Sequence, residues 1–211
     1  MYLPRHFEKP DEEGLLEAIS AHPFGSLVRN GPEGLDADHI PFLVERGEGG
    51  ARLIAHVARA NPLWQQATPG QEVLVVFRAG DAYVSPNWYP SKHETHRLVP
   101  TWNYRIVHVH GRLHIRDEER FVRGVVARLT KLHEGRTGDA QPWKMTDSAP
   151  EFIDQMLANI VGLEVEIVRL VGKWKLSQNR EARDLEGAAR GLRERGEQSL
   201  ADAMLDTLGK S

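Results

Sequence analysis

Asn103-Tyr104-Arg105-Ile106-Val107-His108-Val109-His110-Gly111-Arg112-Leu113-His114-Ile115 reads as one long β-strand that begins just after the Pro100 boundary. Gly111 in its interior predicts a bulge or a close backbone approach. Upstream, strand patterns recur at Gly25–Asn30, His39–Glu45, Arg52–Val57, Glu72–Arg78 and Ala82–Ser85, separated by turns that carry Gly or Pro. Downstream, Leu163-Glu164-Val165-Glu166-Ile167 alternates strictly, as a half-buried strand does.

Helices stand around this block rather than regularly within it. Asp11–His22 has a capping Asp11 and places Leu15, Leu16 and Ile19 on one face, with Pro23 as its stop. Asn61–Gln66 reads as a short helix with Asn61 as its cap and Pro62 at its first position. Asp117–Glu134 aligns Phe121, Val125, Leu129 and Leu132 and ends at Gly135. Ala149–Ile160 is a further amphipathic helix, and the chain from Glu181 onward is helical with a break near Gly196. Strands that do not alternate with helices of ordinary length argue against a doubly wound parallel sheet. The fold class expected is mainly β with peripheral helices (α+β), built on a mostly antiparallel barrel.

The chain has 211 residues, 27 Lys+Arg against 30 Asp+Glu, and no cysteine. Disulfides, thiol nucleophiles and thiolate zinc sites are therefore excluded. The net charge of −3 argues against a broad nucleic-acid-binding face. No apolar run approaches the length of a membrane span, and Met1–Glu8 lacks the layout of a signal peptide, so a cytoplasmic location is expected.

Chemistry-bearing residues concentrate between 83 and 105. Tyr83, Trp88, Tyr89, Trp102 and Tyr104 lie close in sequence to Ser85, Asn87, Asn103 and Arg105. Such a set suits either a slot for an aromatic ligand or an aromatic plug or interface. Between Pro90 and Arg116, five Lys or Arg face a single acid, Glu94. That excess suits a phosphate or carboxylate, or else a solvated face. His108 and His110 fall on one strand face, joined by His114 where a Gly111 bulge does not shift the register, but no other ligand cluster completes a metal set, and His93-Glu94-Thr95-His96 has the wrong spacing for the helical zinc motif. Hydrolase elbow, phosphate-loop and dinucleotide fingerprints are all missing.

Six segments, in order along the chain, resemble the PaiB-type FMN-binding negative transcriptional regulators. They are Tyr2-Leu3-Pro4-x-His6-Phe7, His39-Ile40-Pro41-Phe42, His56-x-Ala58-Arg59-Ala60-Asn61-Pro62-x-Trp64, Tyr83-Val84-Ser85-Pro86-x-Trp88-Tyr89, Val99-Pro100-Thr101-Trp102-Asn103-Tyr104 and Lys173-Trp174-Lys175-Leu176-Ser177-Gln178-Asn179-Arg180. The resemblance implies an antiparallel, FMN-binding split β-barrel over residues 1–180 with inserted helices. Residues 181–211 then form a C-terminal helical extension packed on the barrel or the dimer. It further implies a homodimer with FMN as cofactor; haem, which some split-barrel relatives hold instead of flavin, is the alternative.

By the same resemblance, His56, Arg59 and Asn61 hold the FMN phosphate at a strand-to-helix junction, where a cation and a helix N-terminus both favour an anion. Trp102, Asn103 and Tyr104 flank the isoalloxazine, and Lys175, Gln178 and Asn179 close the site. For Asn61 the alternative role is helix capping, and for Trp64 and Trp174 it is core packing. The function implied is that of an FMN-binding negative transcriptional regulator; because the chain is net negative, that regulation is expected to be indirect, through flavin, without tight direct DNA binding. A flavin-dependent oxidoreductase and a cofactor-free dimeric interaction module are the competing readings.

Overall fold

The strand pattern that begins near Glu72 runs on past Arg78 to Val84. In the structure, a computed structural model that describes residues 1–9 and 11–210, the strands are β1 (Glu8–Lys9), β2 (Phe24–Gly31), β3 (Gly34–Pro41), β4 (Leu43–Gly47), β5 (Gly50–Ala58), β6 (Gln71–Val84), β7 (Thr101–Arg116) and β8 (Ile160–Lys175). The α-helices are α1 (Glu12–Ala21), α2 (Leu63–Gln66), α3 (Pro90–Thr95), α4 (Glu119–Glu134), α5 (Pro150–Ala158), α6 (Ala182–Glu194) and α7 (Gln198–Leu205). The strands form one antiparallel sheet in the order β3-β2-β6-β7-β8-β5-β4, with β1 added beside β8. The expected mainly antiparallel class with peripheral helices is what the chain adopts.

Four elements differ from the sequence reading. Gly80 takes φ +107°, a conformation open to a residue without Cβ, so β6 continues where two strands were expected. His39–Glu45 divides into β3 and β4 because the chain changes partner: Pro41 still pairs with Phe24 of β2, the Phe42 N–H donates to the Pro23 carbonyl at 2.8 Å, and from Leu43 the strand pairs with β5 instead. β8 reaches Lys175, far beyond Ile167, although its second half loses strict alternation. The short helix α3 was not expected at all; Pro90 sits in its first turn and His96 closes it at φ 53°.

The chain folds into two compact units. The first comprises Met1–His22, Phe77–His108 and the chain from Val171 onward; the second comprises Pro23–Val76 and Val109–Leu170. In the first unit, Leu185, Ala188, Ala189 and Leu192 of α6 and Leu200, Ala201 and Met204 of α7 pack with Ala82, Val84, Tyr89 and Leu176. Burying each Leu there contributes about 1.5–3 kcal/mol. Asp184 fixes the start of α6, accepting from the Ser91 N–H at 3.0 Å and from its hydroxyl at 2.5 Å.

In the second unit, α4 lays Val125 and Leu129 on Ile54 and packs Val122 against Ile153 and Leu157 of α5. Gly111 marks a close approach: a Cβ there would meet Val165 Cγ1 at 2.5 Å and the Glu166 carbonyl oxygen closer still. Among the described residues no helix is long and apolar enough to cross a membrane.

Candidate functional site

The candidate residues fall into two groups, one in each unit. In the second unit, β5 carries His56 opposite Gly162 of β8. His56 is largely buried, its Nδ1 has no hydrogen-bond partner, and burial holds its pKa below the ordinary histidine value. A neutral imidazole with a free ring nitrogen can take or give one hydrogen bond to a ligand.

Arg59, immediately beyond β5, is surrounded by partners. Its Nη1 and Nη2 donate to the two oxygens of Asp117 at 3.0 and 2.5 Å, and its Nε donates to the Ala158 carbonyl at 2.7 Å. A further bond reaches the Ile160 carbonyl at 3.2 Å, and the guanidinium lies 5.5 Å from the Trp64 ring centre. The Asp117 hydrogen bonds raise the Arg59 pKa, and the same bonds lower that of Asp117. Arg59 thus ties the end of β5 to the α5–β8 connection, on the wall of a cleft of about 330 Å³. Arg123 in that cleft is paired with Glu119 and Asp154.

Asn61 is occupied as well: its Oδ1 accepts from the Leu63 N–H at 2.8 Å, capping α2, and its Nδ2 donates to Asp38 at 2.7 Å. Asp38 lies in β3 and orients the cap. Near this junction Arg29, 2% exposed, donates to Gln66 at 2.9 Å and leaves Nε and Nη1 without partners.

In the first unit, alternation along β7 turns Trp102 outward and Asn103 inward. Trp102 is 55% exposed and meets Tyr83 edge to face at 6.1 Å. Asn103 is fully buried, donating to Ser177 Oγ at 2.9 Å and to Met204 Sδ at 3.3 Å. The Lys173 and Lys175 ammonium groups lie 5.5 and 6.0 Å from the Tyr104 ring centre. Lys175 donates to Thr101 Oγ1 at 2.5 Å and to the Trp102 carbonyl.

Beyond β8 the chain turns sharply. Ser177 stands at φ 67°, a left-handed conformation uncommon for a residue with a side chain. Gln178 holds that turn by accepting from the Leu176 N–H at 2.7 Å and donating to the Trp174 carbonyl at 2.5 Å. Asn179 is exposed.

Lys173 and Arg180 belong to the sequence motif that ends the resemblance, but the sequence gives neither an individual role. Ending β8 at Ile167 hid the fact that Lys173 and Lys175 share a strand face, and the ring that Arg180 covers, Tyr89, lies 91 residues away in sequence. Among the described residues no cluster of three or more His, Asp or Glu is arranged to hold a metal ion.

Sheet order, strand polarity and peripheral helices define a split β-barrel, the fold of flavin-binding proteins. Within the first unit, an exposed Trp102, a Tyr104 beside two ammonium groups and the unpartnered Tyr89 hydroxyl are stacking and hydrogen-bonding groups of the kind a flavin needs. The chain belongs to the family described as "Putative FMN-binding domain", whose model matches residues 1–169. That span contains His56, Arg59, Asn61 and Trp102–Tyr104.

The chain is 27% identical over 184 residues to protease synthase and sporulation protein PAI 2 of Bacillus subtilis, covering 87% of this chain and 85% of that protein. It is 34% identical over 161 residues to an uncharacterized protein of Saccharomyces cerevisiae, covering 67% of this chain and 95% of that one. Among solved structures, an FAD and haem binding protein from Mycobacterium smegmatis shares the fold at TM-score 0.55 and 19% identity. The match covers 80% of this chain and 73% of that one.

Proposed function

We propose that this protein is a cytoplasmic, homodimeric FMN-binding regulator that acts through its flavin rather than by gripping DNA itself. Membership of an FMN-binding family is the observation that carries the reading. The exposed Trp102, with Tyr104 and Lys175 beside it, supports it chemically. Trp102 and Tyr104 offer aromatic surface to an isoalloxazine. Asn103 and Gln178 shape the backbone around them, Asn103 by locking the Ser177 turn, and Asn179, exposed beside that turn, has its amide available to a ligand. In the second unit His56 has hydrogen-bonding capacity left for a ligand, while Arg59 and Asn61 hold the β5–α2 junction in shape.

Bound FMN would supply reversible hydride and electron chemistry; the chain's own residues bind it, orient it and set its exposure to water. The test is the purified protein itself. A yellow preparation that releases FMN on denaturation is the expected result, and chromatography of the released cofactor separates FMN from FAD and haem. A colourless protein that ignores added FMN would sink the proposal and favour a cofactor-free interaction module. Steady oxidation of NADH or NADPH by the yellow protein would replace the regulator with an oxidoreductase.

A further inference from the structure

We propose that Lys173, Lys175 and Arg180 form an anion-binding site in the first unit, which takes the phosphate or carboxylate group of a small ligand lying against Tyr104. The inference deepens the flavin reading, and rests on it only for whose anion is bound.

Lys173 is the first support, because a lysine 8% exposed is rare without a paired acid. Its ammonium donates once, to the Tyr2 carbonyl at 2.9 Å, and lies 5.4 Å from the Tyr2 ring centre. Two of its three N–H donors remain unspent. Glu8 faces it across the β1–β8 ladder yet is exposed and forms no ion pair with it. Lys175 projects from the same strand face two residues on, with one donor left after Thr101 and Trp102. Arg180, just past the Ser177 turn, covers the buried Tyr89 ring at 5.5 Å and lies near enough to Lys175 for its charge to act there. The Tyr89 hydroxyl beneath has no partner.

Among the described residues none of the three cations is paired with a carboxylate, whereas Arg183, just along the chain, is held by both Glu94 and Glu181. Burial, with the charges of Lys173 and Arg180, keeps Lys175 below the usual lysine pKa. Three cations gathered without a counter-ion repel one another, and an anion relieves that repulsion while filling the unspent donors. The Gln178 and Asn103 bonds hold the turn in place before any ligand arrives, which lowers the ordering cost of binding.

The test compares FMN with riboflavin, which lacks the phosphate, by flavin fluorescence, and titrates inorganic phosphate by calorimetry at constant ionic strength. Wild-type protein is set beside Lys175→Gln and Arg180→Gln, with circular dichroism as the folding check; wild-type phosphate binding needs no variant at all. If the flavin phosphate is the anion, FMN binds about tenfold or more tighter than riboflavin, and the ratio falls toward one in both variants. If the anion belongs to a second ligand, FMN and riboflavin bind alike, while phosphate binds the FMN-loaded protein and loses that binding in both variants. An FMN preference unchanged in both variants, with no phosphate binding to wild type, overturns the inference and leaves flavin binding intact. Phosphate binding that depends on Lys175 and Arg180 in a protein that takes up no flavin would uphold the anion site and overturn the flavin reading instead.

Discussion

Burial lowers the pKa of His56, and that has a measurable consequence. The unfolded chain takes up a proton at this histidine as pH falls through about 6.5, whereas the folded chain resists until a lower pH. Stability from this group is therefore complete above the unfolded value and lost as pH falls through the folded one. His110, pushed the same way by burial and by Arg169, adds to the effect. The melting temperature should drop between pH 7 and 5, and His56→Gln should flatten part of that drop; an unchanged slope would show that burial does not govern the imidazole. Arg59 teaches a different lesson. A cation beside a helix start is readable as an anion ligand; its pairing with Asp117, 58 residues away in sequence, is revealed by no local pattern. Arg59→Ala and Asp117→Asn should each lower the melting temperature and weaken FMN and riboflavin by the same factor. A loss confined to FMN would make Arg59 a phosphate ligand after all. Lys173 was hidden for a related reason: burial of a charged residue is a tertiary fact, and nothing in Gly172-Lys173-Trp174 announces it.

At the scale of elements, glycines decide how closely α6 can sit on its neighbours. A Cβ on Gly191 would come within 2.6 Å of the Trp88 ring, and one on Gly187 would run into the Trp88 carbonyl oxygen. A Cβ on Gly124 in α4 would meet nothing nearer than Arg128 Nη2 at 3.8 Å. Gly→Ala gains up to about 1 kcal/mol of helix propensity at either place, while forcing an atom into a packed contact costs about 1–3 kcal/mol. Gly191→Ala should therefore destabilise the protein and Gly124→Ala should stabilise it, read as opposite shifts of the urea midpoint. Equal shifts would mean that α6 does not pack on Trp88 as described. The elements themselves were largely legible, because α1, α4, α5 and most strands carry their own period and punctuation. Legibility ended where a glycine kept a strand going, as Gly80 does in β6, or where alternation faded inside β8. Gly111 was readable as a special position; that the special need is room for the β8 backbone is visible only once the sheet is assembled.

For the whole molecule the question is whether duplex DNA is a direct partner. Residues 173–196 hold seven Lys or Arg against four acids in a chain of net charge −3. The fold uses up most of that excess. Arg183 bonds Glu94 at 2.6 and 2.8 Å, and Arg193 bonds Asp202 at 2.6 Å. Lys173, Lys175 and Arg180 gather at the anion site proposed above. Arg190 and Arg195 remain as exposed cations of this segment. The helix–break–helix of α6 and α7 does not supply a basic reading helix either, since α7 buries Leu200, Ala201 and Met204 and carries no Lys or Arg on the face it leaves outward. Two phosphate contacts per subunit correspond to a salt slope of about −2, and a homodimer only doubles it. Random duplex should therefore bind in the weak range of about 10⁻⁴–10⁻⁶ M at physiological salt. Light scattering at micromolar concentration should report the homodimer in the same preparation, and a monomer there would lower the contact number further. A gel-shift titration giving nanomolar, sequence-selective affinity with a steep salt slope would overturn this expectation. It would require Arg190 and Arg195 to act with cations outside the segment, and would turn a regulator working through flavin into one that reads its operator directly.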